Sequence, residues 1–113
     1  MNIKAVTQGD VTVLGISGNL DANTVPQAQS EIMPLLTPDC RLVLDMTDCQ
    51  YVSSSGLRLL LMIAKKLKTA KGGQWCLANV SDEVMDVMKI TGFAQFFKTS
   101  STVSAAIELV RQA

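Results

Sequence analysis

A chain of 113 residues with 48% hydrophobic and 18% charged side chains is long enough for one real core and too apolar to be disordered. Its ten basic and ten acidic residues cancel, which removes the electrostatic footprint of a non-specific nucleic-acid binder. The longest apolar run, residues 59–64, falls far short of the roughly 20 residues that a bilayer span needs, and residues 1–10 hold no apolar run of the signal-peptide kind.

The first elements are strands. Residues 3–6 (IKAV) and 11–17 (VTVLGIS) are rich in β-branched side chains and flank a turn, QGD, so they are expected to form a hairpin. A helix should follow GNLDANT, capped by Asn23 or Thr24 and carrying Pro26 in its first turn, where a missing N–H costs nothing. Val25, Ala28, Ile32 and Leu35 make its inward stripe, and Pro34 and Pro38 bound its end.

Residues 41–46 (RLVLDM) are short, apolar and strand-like, as in a buried parallel strand. The loop DCQYVSSSG leads into an apolar helix ending near Gly72 and Gly73, which suit a C-cap. Residues 74–80 (QWCLANV) form the next strand. Ser81 opens a helix with Asp82 and Glu83 at the end favoured by the helix dipole; Val84, Val87, Met88 and Thr91 should face inward, and Gly92 should stop it. FAQFFKT reads as a short strand or extended segment. Residues 102–111 close the chain as a helix with Val103, Ala106, Ile107 and Val110 inside.

This order, ββαβαβα, a short strand, then α, gives an α/β domain spanning residues 1–113. Strands alternating with helices need crossovers, so most of the sheet should be parallel. Parallel sheets gather their functional loops at the carboxyl ends of their strands, where the serine loop would lie. Cys40, Cys49 and Cys76 are odd in number and show no paired spacing, which fits reduced thiols in a cytosol. With no histidine and no CxxC pair, a zinc site is not expected; no other metal and no cofactor is expected either.

Ser53, Ser54 and Ser55 admit three readings. As a catalytic nucleophile, a serine needs a base; the chain has no histidine, SSSG lacks the GxSxG elbow, and Lys65 and Lys66 lie two to three turns further along. A P-loop is equally unsupported, because SSSGLR has no second glycine and no GK[ST]. As a helix cap, one serine suffices. As a phosphorylation switch, a serine here would meet unbonded N–H groups and the positive end of the dipole, with Arg58 three residues after Ser55. Along the helix, Leu57, Leu60, Leu61, Ala64 and Leu67 follow the inward spacing, with Arg58, Met62, Lys65, Lys66 and Thr69 on the other side. Leu59 and Met62 are then either an exposed docking pair beside the serine or buried in a helix covered on most sides. The basic residues from Lys65 to Lys71 read as a solvated face.

Three motifs carry a family resemblance. GNLDANT (18–24) is similar to a G-x-[LI]-D-x-x-T pattern after a second strand, LVLDMTDCQYVSSSGLRLLL (42–61) to a strand, aspartate, loop and S-S/A-G-L signature, and ITGFAQFFKTSSTVSAAI (90–107) to a glycine, aromatic and final-helix tail. Through them the chain resembles the STAS domain family, and within it the small anti-sigma factor antagonists of bacteria. The resemblance implies a mixed sheet of four to five strands with about four packed helices, and no catalysis by the domain itself. It implies that an anti-sigma factor, also a serine kinase of the histidine-kinase-like ATPase fold, binds the unmodified protein and phosphorylates the serine before the glycine. That serine is Ser55 here, with Ser54 the second candidate. The phosphorylated form would let go, and a PP2C-type phosphatase would reset it.

On the same resemblance the partner-binding set is Asp21, Asn23, Thr24, Ser53, Ser54, Ser55, Gly56, Arg58, Leu59 and Met62, with Asp45 matching the aspartate that ends the central strand. No nucleic-acid or membrane partner is implied. Two positions depart from the family pattern: Ser53 stands where an aspartate is frequent, and Asn19 where a glutamate is common, so negative charge near Ser55 is reduced. The alternative is a STAS-like scaffold of a transport or signalling assembly, in which the serines only cap the helix.

Overall fold

The computed structural model describes residues 1–69 and 73–112. β1 (Asn2–Gln8) and β2 (Val11–Ser17) pair antiparallel, with Gln8 opposite Val11 across a turn of Gly9 and Asp10. Gly9 takes a φ of +63°, a left-handed conformation that a Cβ would oppose. β3 (Arg41–Asp45), β4 (Gln74–Ala78) and the short β5 (Thr99–Ser100) continue the sheet in parallel, in the order β1-β2-β3-β4-β5. α1 (Val25–Ile32), α2 (Ser54–Thr69), α3 (Asp82–Ile90) and α4 (Val103–Gln112) supply the helical layers.

Strand alternation sorts the core into two layers. Leu14, Ile16, Leu42, Leu44, Trp75 and Leu77 face the large core built with α1, α2 and α3. Val11, Val13, Val43, Cys76 and Ala78 face the other way, onto Ala106, Ile107 and Val110 of α4. A sheet covered on both faces explains why β3 and β4 read as unbroken apolar runs. Burial pushes the thiols of Cys40, Cys49 and Cys76 up from their ordinary value, and all three are unbridged. Among the described residues no helix is long and apolar enough to cross a membrane.

Several expected boundaries shift for local reasons. β3 stops at Asp45, although Met46 stays buried and its N–H still bonds to Ala78 O at 2.8 Å. β4 stops at Ala78 because Asn79 adopts a φ of +58° and turns the chain out of the sheet. The prolines do not simply end α1: Pro34 sits in a 3-10 turn, Met33–Leu35, and Leu36 beyond it is buried. FAQFFKT is not extended throughout. Gly92, at a φ of +80°, turns α3 into a 3-10 turn, Phe93–Phe96, and only then does β5 begin. Phe97 anchors this segment, edge-on to Trp75 at 5.7 Å and 84°.

On α3 only Val84 and Met88 are buried; Val87 is exposed and Thr91 lies at the exposed C-cap, so the inward face is one narrow ridge. Ser81 caps that helix through Val84 N–H at 3.2 Å, and the Thr102 hydroxyl accepts from Ala105 N–H at 3.1 Å at the start of α4. α2 is described to Thr69, and the expected Gly72 end lies outside the described residues.

α4 is held at its far end by charge. Arg41 Nη1 donates to Val110 O and, at 3.1 Å, to Arg111 O, so a cation meets the carbonyls that the helix leaves unbonded. Arg41 Nε lies 3.3 Å from Asp10 Oδ2 and Arg111 Nε 3.4 Å from Asp10 Oδ1, which ties the β1–β2 turn to the same point. Removing this staple should release α4 first. Arg41→Ala is expected to lower stability by about 1–2 kcal/mol in urea unfolding, and amide exchange should rise in α4 before it rises in β2 to β4.

Candidate functional site

β2 and β3 are parallel neighbours, so the loops leaving their carboxyl ends emerge side by side. They are zipped together. Gly18 N–H donates to Asp48 O at 3.1 Å, Leu20 N–H to Tyr51 O at 2.9 Å, and Ser53 N–H to Leu20 O at 2.9 Å. Leu20 and Val52 form a parallel bridge beyond the sheet proper, and both side chains are buried with Cys49 beneath. Gly18, at a φ of +110°, makes the bend that starts this path.

The first loop is closed by its own polar side chains. Asp21 Oδ1 accepts from Asn23 N–H at 2.9 Å and Thr24 N–H at 3.2 Å. The Thr24 hydroxyl accepts from Asp21 N–H at 2.9 Å and donates to Asn19 O at 2.7 Å. Thr24 therefore occupies the N-cap position of α1, with its hydroxyl turned back into the loop rather than onto the helix. Asp21 shares this end of the sheet with Ser55, and no hydrogen bond among the described residues joins the two.

The three serines have different surroundings. Ser53 is the cap of α2: its hydroxyl accepts from Gly56 N–H at 3.3 Å and its carbonyl from Leu57 N–H at 2.9 Å. Ser54 is exposed. Ser55 is half-buried, and its hydroxyl accepts from Arg58 Nη2 at 3.2 Å. Among the described residues, the N–H groups of Ser54 and Ser55 in this first turn have no acceptor. Gly56 is required by space. A Cβ there would stand 2.5 Å from Leu20 O and 2.8 Å from Val52 Cγ1, so α2 reaches the Leu20 loop this closely only without a side chain.

The helix separates the Leu59–Met62 pair. Leu59 is 2% exposed and belongs to the core, which corrects its expected place in a docking face. α2 packs against α1 as well as the sheet, so its buried arc takes in Leu57, Leu59, Leu60, Ile63 and Leu67. Leu61, expected inside, is only half-buried, and Ile63, absent from the expected stripe, is fully buried. Met62 is 41% exposed at the α1–α2 boundary, where Gln29 Nε2 lies 4.0 Å from its sulfur. Arg58, Met62, Lys65 and Lys66 lie outside, and no acid occurs in the 16 residues of α2.

Two residues escaped the sequence reading. Tyr51, exposed in the loop just before the serines, is an aromatic with no core role, and that position was its only signal. Asn79 Nδ2 donates to Asp45 Oδ1 at 3.2 Å, alongside Thr47 Oγ1 at 2.6 Å and Thr47 N–H at 3.1 Å. Burial alone would raise the Asp45 carboxyl, but the Thr47 and Asn79 hydrogen bonds outweigh it and hold it below the usual carboxylate value. Asp45 thereby fixes the start of the serine loop to the end of β4.

With these loops in place, a five-stranded mixed sheet between four helices is a STAS fold. Residues 2–106 match the model of the STAS domain family, and the chain belongs to that family. It is similar to BtrV, a candidate anti-sigma factor antagonist of Bordetella bronchiseptica: 29% identical over 92 residues, 80% of this chain and 78% of that protein. Its fold is similar to that of a candidate anti-sigma factor antagonist from Thermotoga maritima, with a TM-score of 0.87 at 21% identity over 96% of this chain and 94% of that one. It is also similar in fold to the Bacillus cell fate determinant SpoIIAA in its phosphorylated form, with a TM-score of 0.70 at 20% identity over 97% of this chain and 100% of that one.

Two measurements check the local physics. Gly56→Ala should destabilise by about 1–3 kcal/mol in urea unfolding, because its neighbours are backbone and buried side chain that cannot yield freely. Asp45 titrates lower in the fold than in the unfolded chain, so its contribution is present above about pH 3.9 and is lost as pH falls through the lower folded value. In Asp45→Asn, stability measured between about pH 2 and pH 7 should fall less on the acid side than in the parent, and the two curves should approach each other at the acid end.

Proposed function

We propose that this protein is an anti-sigma factor antagonist that works by partner switching. Unmodified, it binds an anti-sigma factor that is also a serine kinase of the histidine-kinase-like ATPase fold. Phosphorylation of Ser55 releases that partner, and a PP2C-type phosphatase restores the binding form. The protein is the substrate of this chemistry and does none itself, and it acts in the cytoplasm.

The observation that carries the reading is the Ser55 hydroxyl, half-exposed in the first turn of α2 with Arg58 at 3.2 Å. A phosphate there would carry roughly −1.5 to −2 charges and would meet a guanidinium and unbonded backbone N–H groups at the positive end of a helix. The name borne by BtrV and the phosphorylated state of the SpoIIAA structure support the same assignment. The partner face would be formed by Asp21, Asn23, Thr24, residues 53–56, Arg58 and Met62, with Leu59 supporting it from beneath. A divalent anion appearing at the centre of such a face must be desolvated on binding and repels partner acids. A few kcal/mol of this kind shifts affinity by orders of magnitude.

The test uses the kinase recovered by affinity capture from the native cells. Ser55→Ala should bind it and accept no phosphate, and Ser54→Ala should be phosphorylated normally. Ser55→Asp should bind at least about tenfold more weakly. Full-rate phosphorylation of Ser55→Ala would overturn the site. Absence of any phosphopeptide from growing and stressed cells would favour the constitutive scaffold instead.

A further inference from the structure

A second feature lies on the flank of α2, away from the serines. Leu61, Ala64 and Leu67 of α2, Trp75 at the start of β4 and Phe96 of the 3-10 turn form the apolar lining of an open groove of about 630 Å³. Phe96 is 51% exposed, although the neighbouring Phe97 is buried, so a large aromatic surface is left to water without a packing reason. Trp75 is 8% exposed at the groove and is held edge-on by Phe97.

The rim is cationic on both sides: Lys65 and Lys68 on the α2 wall, Lys98 on the opposite wall. Among the described residues no carboxylate lines the groove. The ion pairs among the described residues use Arg41 and Arg111 and none of these lysines, and the hydrogen bond from Lys98 goes to the neutral Gln74 at 3.5 Å. In a chain of zero net charge, three cations therefore ring one apolar hollow and repel one another across it. A hollow of this size, apolar with a few convergent polar groups, has the chemistry of a small-molecule site.

We propose that this groove binds an amphipathic organic carboxylate of the fatty-acid type. Its chain lies against Leu61, Ala64, Trp75 and Phe96, and its carboxylate meets the lysines at the rim. A neutral lipid would leave the rim charges uncompensated, and a small anion would leave Phe96 in water. Only a molecule with both parts satisfies both walls. The site does not involve Ser55, so its occupancy and the phosphorylation reading stand or fall separately.

Trp75 is the only tryptophan of the chain and reports directly on the groove. The full-length protein would be titrated with dodecanoate below its micelle-forming concentration while Trp75 emission is recorded, with dodecanol as the neutral control. A saturable emission change is expected, with binding about tenfold weaker for dodecanol and for Lys65→Ala/Lys98→Ala. Phe96→Ser, an exposed position whose melting temperature should hardly change, should also weaken binding, and Ser55→Ala should leave it unaltered. The proposal is overturned by no saturable change, or by equal affinity of parent and lysine variant for dodecanoate. It is also overturned if Phe96→Ser abolishes capture of a protein partner while dodecanoate does not bind, which would assign the groove to a protein contact.

Discussion

Leu20 is the joint on which the serine loop rests. Its N–H and C=O are both given to the other loop, to Tyr51 and Ser53, while its side chain is wholly buried. One residue thus satisfies its backbone, seals the upper edge of the core and sets the height at which α2 begins. Gly56 follows from it, since the helix passes so close to the Leu20 carbonyl that no Cβ fits. The GNLDANT and SSSG motifs, far apart in sequence, are therefore two halves of one construction. Asp21 and Thr24 keep the first half rigid, and Asp45 with Asn79 fixes the root of the second.

Position alone gives the serines their separate chemistry. Ser53 spends its hydroxyl on Gly56 N–H, inside the loop junction, and is committed to the cap. Ser55, two residues on, faces Arg58 instead. A cation in the first turn of a helix is mildly unfavourable against the dipole, and the Ser55 hydroxyl is only a neutral acceptor for it. The electrostatics at this end of α2 are thus unbalanced towards positive charge, with unbonded N–H groups beside a guanidinium. The absence of aspartate at position 53 and of glutamate at position 19 leaves that imbalance undiluted.

Much of this was legible in the residues because the signals were local. β2 was found to the residue from its β-branched run, and the alternation of strand and helix carried the parallel sheet. Gly92 and Ser81 announced a stop and a start through chemistry that needs no tertiary knowledge. The failures were of another kind. Periodicity places residues around a helix but does not say how wide an arc its neighbours cover, so it leaves Leu59 open between docking face and core and omits Ile63, both of which are buried where α1 joins the sheet in covering α2. The same limit placed Val87 inside a helix that touches the sheet along a single ridge. The Asp45–Asn79 bond links residues 34 apart in sequence and rests on a left-handed backbone at Asn79, which no local pattern discloses.

How a modification at Ser55 would act follows from what holds α2 in place. Leu57, Leu59, Leu60, Ile63 and Leu67 anchor the helix over about three turns, and large apolar side chains of this kind each contribute about 1.5–3 kcal/mol by burial. A phosphate at the N-terminus would reinforce the helix rather than melt it, through the dipole, the open N–H groups and Arg58. The Leu20 zipper beneath contains no group that the added charge would displace. A switch by unfolding or by rearrangement of the sheet therefore lacks a lever here. Any signal written at Ser55 has to be read from outside, as a change in the surface that a partner meets. It would carry most weight for a partner whose own contact surface is acidic, because α2 presents Arg58, Lys65, Lys66 and Lys68 and no acid of its own.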